Sequence, residues 1–499
     1  MQRMVRAYSR RSFIGLALSS AAGAAMAAGL PVSLRPELRP TDFHKRAVAG
    51  AEALIARSGL TGKVCFAVAD VKTGLRLEGG QAHQGMPPAS VTKAITALYA
   101  LDALGAEHRF ETTLVATGPV ENGVLEGDLI LAGGGDPTLD TDGLAEMAQQ
   151  MKAAGIREVR GAFKVADGPA PNLPTIDPDQ PDHVGYSPAV AGIALNFNRV
   201  HFGWARSGQS YDVAMDARAS RYQPRVAMAT MRVEDRSLPV YTYADRDGRD
   251  EWSVARRALG KGGARWLPVR KPGLYAGDVF RTLARSNGIV LSAPELIRTA
   301  TDGDVIVRYQ SDDLLSILRG MLKYSTNITA EMVGLAASYT RAKGVTSLAG
   351  SAALMNEWAR RELATDKMRL VDHSGLGSGS RMTADAMVTA LVKVHRTGVL
   401  QPILKPVRMR DAKGRPQADH PIKVLAKTGT LNFVSGLAGY LTAEDGTEMA
   451  FAIFAADQDI RAGITRANRD RPEGARTWNR RAKTLQQKLI ERWGTLYGT

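Results

Sequence analysis

Ser90 and Lys93 stand three residues apart in Pro87-Pro88-Ala89-Ser90-Val91-Thr92-Lys93. On a helix, residues i and i+3 share a face, so the lysine nitrogen can reach the serine hydroxyl. A serine is a weak nucleophile until a base takes its proton, and a lysine desolvated in a closed site has a pKa low enough to do so. The unpaired N–H groups at a helix start also favour a developing anion. Ser90 is the only serine in the chain with lysine at i+3. The pattern alone is weak, because average serine and lysine usage gives about one or two chance matches in a chain this long. A helix-capping serine followed by a solvated lysine is the plain alternative.

Two further groups follow in chain order. Ser325-Thr326-Asn327 lies between two helical stretches, where Ser325 and Asn327 can point two polar groups at one cleft. A cap and turn is the plain reading, yet Ser325 is the only serine followed by asparagine at i+2. Later comes Lys427-Thr428-Gly429-Thr430, entered from the apolar Val424-Leu425-Ala426. Gly429 lets a ligand backbone lie close, and the strand can pair with an extended peptide. Lys427 supplies a positive charge suited to a carboxylate. Lys72-Thr73-Gly74 is the same tripeptide at a polar hairpin turn before Ser90, so the tripeptide by itself proves nothing.

The elements that must position these residues can be read from periodicity. Pro87-Pro88 stops any earlier helix, and Ala94, Leu98 and Leu101 with Ile95 and Tyr99 predict a mostly buried helix whose first turn holds Ser90. An amphipathic helix is predicted over 42–58, and a hairpin from Val64–Val71 to Leu75–Leu77. Phe110–Ala116 alternates like a strand, and Val120–Leu131 reads as two strands around Asn122-Gly123. Gly133-Gly134-Gly135 lacks the lysine and the spacing of a phosphate loop. Helices are predicted over 142–154, 278–287, 312–323 and 330–339, and a Pro/Asp-rich loop over 168–190. Val424–Tyr440 reads as a strand that pairs antiparallel with Met449–Ala455.

The chain has 499 residues and a formal net charge of +15. Residues 1–28 have a basic start, an Ala/Gly/Leu-rich middle and a small-residue end at Ala25-Met26-Ala27, the layout of an export signal. Ser9-Arg10-Arg11-Ser12-Phe13-Ile14 is similar to a twin-arginine signal; a general secretory signal with two adjacent arginines is the alternative. The apolar run is too short for a transmembrane helix, so no stable transmembrane segment is expected after signal removal. The remaining chain is long enough for two or three domains. The basic residues are scattered without an aromatic-basic strip, which argues against nucleic acid. The single cysteine, Cys65, reads as a buried strand residue and allows no internal disulfide. No serine sits in G-x-S-x-G, and no H-E-x-x-H is present, which argues against a Ser-His-Asp hydrolase and a zinc peptidase.

The ordered set Ser90…Lys93, Ser325…Asn327, Lys427-Thr428-Gly429 resembles the penicillin-recognising serine acyl-transferases. The long stretch between Lys93 and Ser325 narrows this. With Gly135-Asp136-Pro137-Thr138-Leu139, Ala194-Leu195-Asn196-Phe197-Asn198 and Asp372-His373-Ser374-Gly375-Leu376, it looks like the class C low-molecular-mass penicillin-binding proteins. These are D-alanyl-D-alanine carboxypeptidases that are also D,D-endopeptidases.

The resemblance implies an α/β (α+β) fold: a penicillin-binding-protein/β-lactamase-like transpeptidase domain, with an antiparallel sheet flanked by helices, plus two inserted strand-rich domains. The expected division is 29–105 and 301–499 for the catalytic domain, 106–167 and 256–300 for one insert, and 168–255 for the other. The inserts are expected beside the cleft and outside bond breaking. The resemblance also implies Ser90 as nucleophile and Lys93 as its base, with Ser325 relaying the proton to the leaving amine. Asn327 would hold the substrate amide, Lys427 and Thr428 the terminal carboxylate, and Gly429 would let the substrate backbone lie close. The backbone N–H groups of Ser90 and Thr430 would form the oxyanion hole. No cofactor or metal is implied. Peptidoglycan peptides are the expected partners, β-lactams the expected inhibitors and the periplasm the expected location. The sequence assigns no oligomeric state. Two departures stand out: Thr326 replaces the usual aspartate, and Gly377-Ser378 stand where Ser-Arg is common, with Arg381 arriving later. A non-catalytic wall-binding or β-lactam-sensing protein is the alternative reading.

Overall fold

The computed structural model describes residues 45 and 48–498 except 169 and 412. The expected export signal lies outside the described residues. Of the helix predicted over 42–58, Ala51–Arg57 is helical.

The motifs hang on one antiparallel sheet: β1 (Lys63–Asp70), β2 (Arg76–Gly80), β3 (Lys405–Pro406), β4 (Lys423–Leu431), β5 (Val434–Thr442) and β6 (Glu448–Ala456). Their order is β3-β4-β5-β6-β1-β2, so the opening hairpin zips onto the last strand. Side chains alternate across a strand, and β1 shows the result. Cys65 and Ala67 enter one core with Ile95, Tyr99 and Leu391. Phe66 and Val68 enter another with Leu489 and Trp493. Both faces are thus covered by helices. The single strand predicted over Val424–Tyr440 is broken at Asn432-Phe433, where Phe433 takes φ +54° and Leu431 pairs with Val434. Apolar periodicity runs through that turn, which is why it was not visible.

Helix α1 (Thr92–Leu104) is buried on every side from Thr92 to Ala100, as a helix of small and apolar residues can be. Ser90 does not sit in its first α-turn but in a preceding 3₁₀ turn, Ala89–Val91. Ala89 there takes φ +47°, a left-handed conformation that costs a non-glycine residue about 1–3 kcal/mol. Helix α2 (Leu314–Tyr324) ends where Ser325 takes φ +60°, and α3 (Asn327–Tyr339) starts at Asn327, three residues before the predicted start. Helices α4 (Leu348–Glu362), α5 (Ala384–His395) and α6 (Ala475–Tyr497) complete the layers.

The stretch between α1 and α2 carries a five-stranded sheet, Glu295–Ile297, Phe163–Ala166, Leu129–Gly133, Glu111–Ala116 and Asp304–Gln310. Helices Thr141–Ala153 and Pro272–Ser286 pack with it, near the predicted 142–154 and 278–287. Two three-stranded sheets follow, one joining Arg199–Ser207 to Ser210–Asp216 and Gly262–Pro268, the other joining Ala229–Glu234, Arg249–Ala255 and Tyr241–Arg246. A further small core unites Ile176, Val190 and Ala194 with Ile328 and Met332 of α3. Among the described residues, no helix is long and apolar enough to cross a membrane.

Candidate active site

Three separate elements bring the motifs together. Lys93 lies on α1, packed against α3, and Asn327 opens α3. Lys93 Nζ donates to Ser90 Oγ (2.9 Å), Asn327 Oδ1 (2.7 Å) and the Ser374 carbonyl (2.8 Å). On the other side, Lys427 Nζ donates to Ser325 Oγ (2.9 Å) and the Thr428 carbonyl (2.7 Å). Strand β4 reaches the Ser90 turn because Gly429 has no side chain. A Cβ there would lie 2.7 Å from the Pro88 carbonyl oxygen and 3.1 Å from the Ser90 nitrogen. β3 pairs with Ala426 and Leu425 only, so among the described residues no strand covers the outer edge of β4 from Lys427 onward. That edge can take an extended peptide.

Both lysines are buried without solvent exposure. Burial pushes Lys93 down to about 7, opposed by the carboxylates of Glu331 and Asp372. Burial, then Lys93 and Lys405, push Lys427 down to about 6. A carboxylate ligand beside Lys427 acts against that shift.

A cleft of about 740 Å³ opens over these groups, lined by Ser90, Ser325, Asn327 and Thr430. Lys93, Lys427 and Gly429 lie buried behind the wall, and Thr428 is half-buried. All the residues singled out from sequence are therefore in or directly behind one cleft, while Lys72 is exposed at the β1–β2 turn. Arg381 lines the cleft despite its displaced position in the sequence.

The stretch 168–255, expected beside the cleft, also supplies part of the cleft wall. Gln180 and Tyr186 line the wall, and Asn327 Nδ2 donates to the Tyr186 carbonyl (2.9 Å). The apolar residues Ile176 and Val190 anchor this loop on α3, so it cannot stand clear. Sequence reasoning also missed Arg461, Arg469 and Asp470 on the far wall. A long loop without periodicity inside a compact body and an arginine-rich run after the last strand were the available signals.

With the geometry in place, the chain can be set beside known proteins. The model of the D-Ala-D-Ala carboxypeptidase 3 (S13) family matches residues 49–471. A D-alanyl-D-alanine carboxypeptidase from an Actinomadura species is 27% identical over 439 residues, covering 81% of this chain and 79% of that protein. Penicillin binding protein 4 from Haemophilus influenzae superposes with a TM-score of 0.70 at 18% identity, over 89% of this chain and 100% of that one. The same protein complexed with a β-lactam gives a TM-score of 0.68 at 19% identity, over 91% and 100%. The superposition shows a shared fold, and the chain belongs to the D-Ala-D-Ala carboxypeptidase 3 (S13) family of serine-type hydrolases.

Proposed function

We propose that this chain is a D-Ala-D-Ala carboxypeptidase and D,D-endopeptidase of peptidoglycan stem peptides, working through an acyl-enzyme on Ser90. One observation carries the reading: the partner set of Lys93. The Ser374 carbonyl and Asn327 Oδ1 can only accept hydrogen bonds. Asn327 is held in that orientation because its Nδ2 donates to the Tyr186 carbonyl. A neutral amine has two N–H groups and one lone pair. The two N–H groups go to the two acceptors, and the lone pair faces the one partner that has a proton to give, the Ser90 hydroxyl. With burial holding Lys93 near 7, the neutral form is accessible near neutral pH.

Ser90 Oγ then attacks the carbonyl carbon between the two D-alanines as its proton passes to Lys93. The backbone N–H groups of Ser90 and Thr430 stabilise the oxyanion. Ser325, bonded to Lys427, relays the proton that Lys93 took from Ser90 to the leaving amine, which leaves Lys93 neutral and Ser325 a hydroxyl again. Lys427 and Thr428 hold the terminal carboxylate, Gly429 lets the substrate backbone lie close, and Asn327 holds the substrate amide. Water attacks the ester, and release of the stem returns Ser90. β-Lactams acylate the same serine, as the complex of the Haemophilus protein leads one to expect. The inserts divide as 106–167 with 256–300, and 168–255, and orient a large cross-linked substrate. The enzyme works in the periplasm after twin-arginine export. Precursor retained in the cytoplasm on changing Arg10 and Arg11 to lysine supports that route, and normal export of the variant argues for the general one.

Release of D-alanine from a D-Ala-D-Ala peptide tests the activity. Turnover by the native chain and none by S90A is expected. β-Lactam acylation without any peptide turnover would favour the sensing role instead.

A further inference from the structure

The Ser374 carbonyl that fixes one N–H of Lys93 belongs to a turn, Asp372–Gly377, whose backbone is held by two buried carboxylates. Glu331 lies four residues after Asn327 on α3, so both project from one helix face. Glu331 is fully buried. Its Oε2 accepts from the His373 N–H (3.0 Å) and its Oε1 from the Ser374 N–H (2.9 Å). Asp372 Oδ1 accepts from the Gly375 N–H (2.7 Å) and Oδ2 from the Gly377 N–H (2.6 Å). Four N–H groups of one short turn thus end on two carboxylates. Thr96 of α1 donates to the His373 carbonyl (2.7 Å), tying the turn to the helix that carries Lys93. Gly375, at φ +76°, presses against the residue before the nucleophile: a Cβ there would lie 1.9 Å from the Ala89 carbonyl oxygen.

We propose that Glu331, together with Asp372, is a positioning residue for the proton acceptor: it holds the Ser374 carbonyl where that oxygen takes one N–H of Lys93 and leaves the lone pair on Ser90. The inference rests on the reading of Lys93 given above. The position calls for a carboxylate. A glutamine would set its own NH₂ against one of the two backbone donors and leave a buried N–H without a partner. Charge acts in the same place. The groups facing Lys93 are the Ser90 hydroxyl, Asn327 and Glu331 from α3, Asp372 from the turn and Lys427 from β4. Burial, then Asp372, push Glu331 itself up to about 8, and burial raises Asp372, while the backbone N–H groups given to each Glu331 oxygen act against that and suit the ionised form. Ionised, the two carboxylates favour the ammonium; Lys427 and burial oppose it. Removing the charge of Glu331 therefore lowers the Lys93 pKa.

The test follows acylation of the full chain by a chromogenic β-lactam across acid and neutral pH, normalised to titrated active sites. E331Q is expected to lose on the order of 10²-fold in plateau rate, the scale of a misplaced reacting group. Its acid limb moves to lower pH. An E331Q protein with the native plateau and limb overturns the proposal. So does one that yields fewer folded molecules, each with the native profile, because that outcome marks a purely structural role. Where E331Q is not recovered folded, D372N takes its place, with a shifted limb expected and an unaltered limb contradicting the proposal. A native chain that is not acylated overturns the reading of Lys93 and this inference with it, which separates the two failures.

Discussion

The tripeptide Lys-Thr-Gly occurs twice in this chain, and the two copies share no part of their surroundings. At 72–74 it closes the β1–β2 hairpin. Asp70 Oδ1 accepts from the N–H (2.7 Å) and the hydroxyl (2.6 Å) of Thr73, Gly74 turns the chain at φ +76°, and Lys72 is solvated. At 427–429 it lies inside β4. There Lys427 is buried and bonded to Ser325, and Gly429 abuts the turn that carries Ser90. The residues are the same, but their neighbours in sequence differ. Aspartate and glycine around the first copy make a turn, whereas Val424, Leu425 and Ala426 before the second make a sheet strand. Lysine is an ordinary surface cation in one place and a functional group with a strongly displaced proton affinity in the other.

The comparison can be broken by substitution. K427A should lower acylation by about two to three powers of ten, the usual cost of removing a group aimed at developing or substrate charge. K72A should leave it unchanged, and equal losses in stopped-flow acylation would mean that the wrong copy was assigned to the cleft. The acid limb is the next largest effect. Lys93 must be neutral to accept a proton, so with its pKa near 7 the rate should fall about tenfold per unit below that pH and level off above it. A limb near the ordinary lysine value would contradict the role of burial. G429A should cost tenfold or more, because its methyl would meet the Pro88 carbonyl oxygen at 2.7 Å and displace the Ser90 turn. G74A has only Val392 Cγ1 near its Cβ, at 3.6 Å, and strains a left-handed residue. It should lower stability by about 1–2 kcal/mol in a denaturant titration with acylation intact.

Much of this arrangement was legible before the fold. Ser90 and Lys93 share a helical face by spacing alone, and the continuous apolar run of β1 announces a buried strand. What stayed hidden depends on contacts between distant segments. Nothing local in Gln180 or Tyr186 says that their loop lies on α3. Glu331 reads as an ordinary helical glutamate until the Asp372–Gly377 turn is seen to end on it. The left-handed Ser325 was also unreadable, since a non-glycine residue is held at φ +60° by the packing of two helices rather than by its own preference.

The central claim is that Ser90 becomes covalently acylated. Mass spectrometry of peptides from the intact chain after incubation with a β-lactam tests it most directly. The account predicts one adduct, on the peptide containing Ser90, and none in S90A. An adduct on any other serine, or one that persists in S90A, would contradict it.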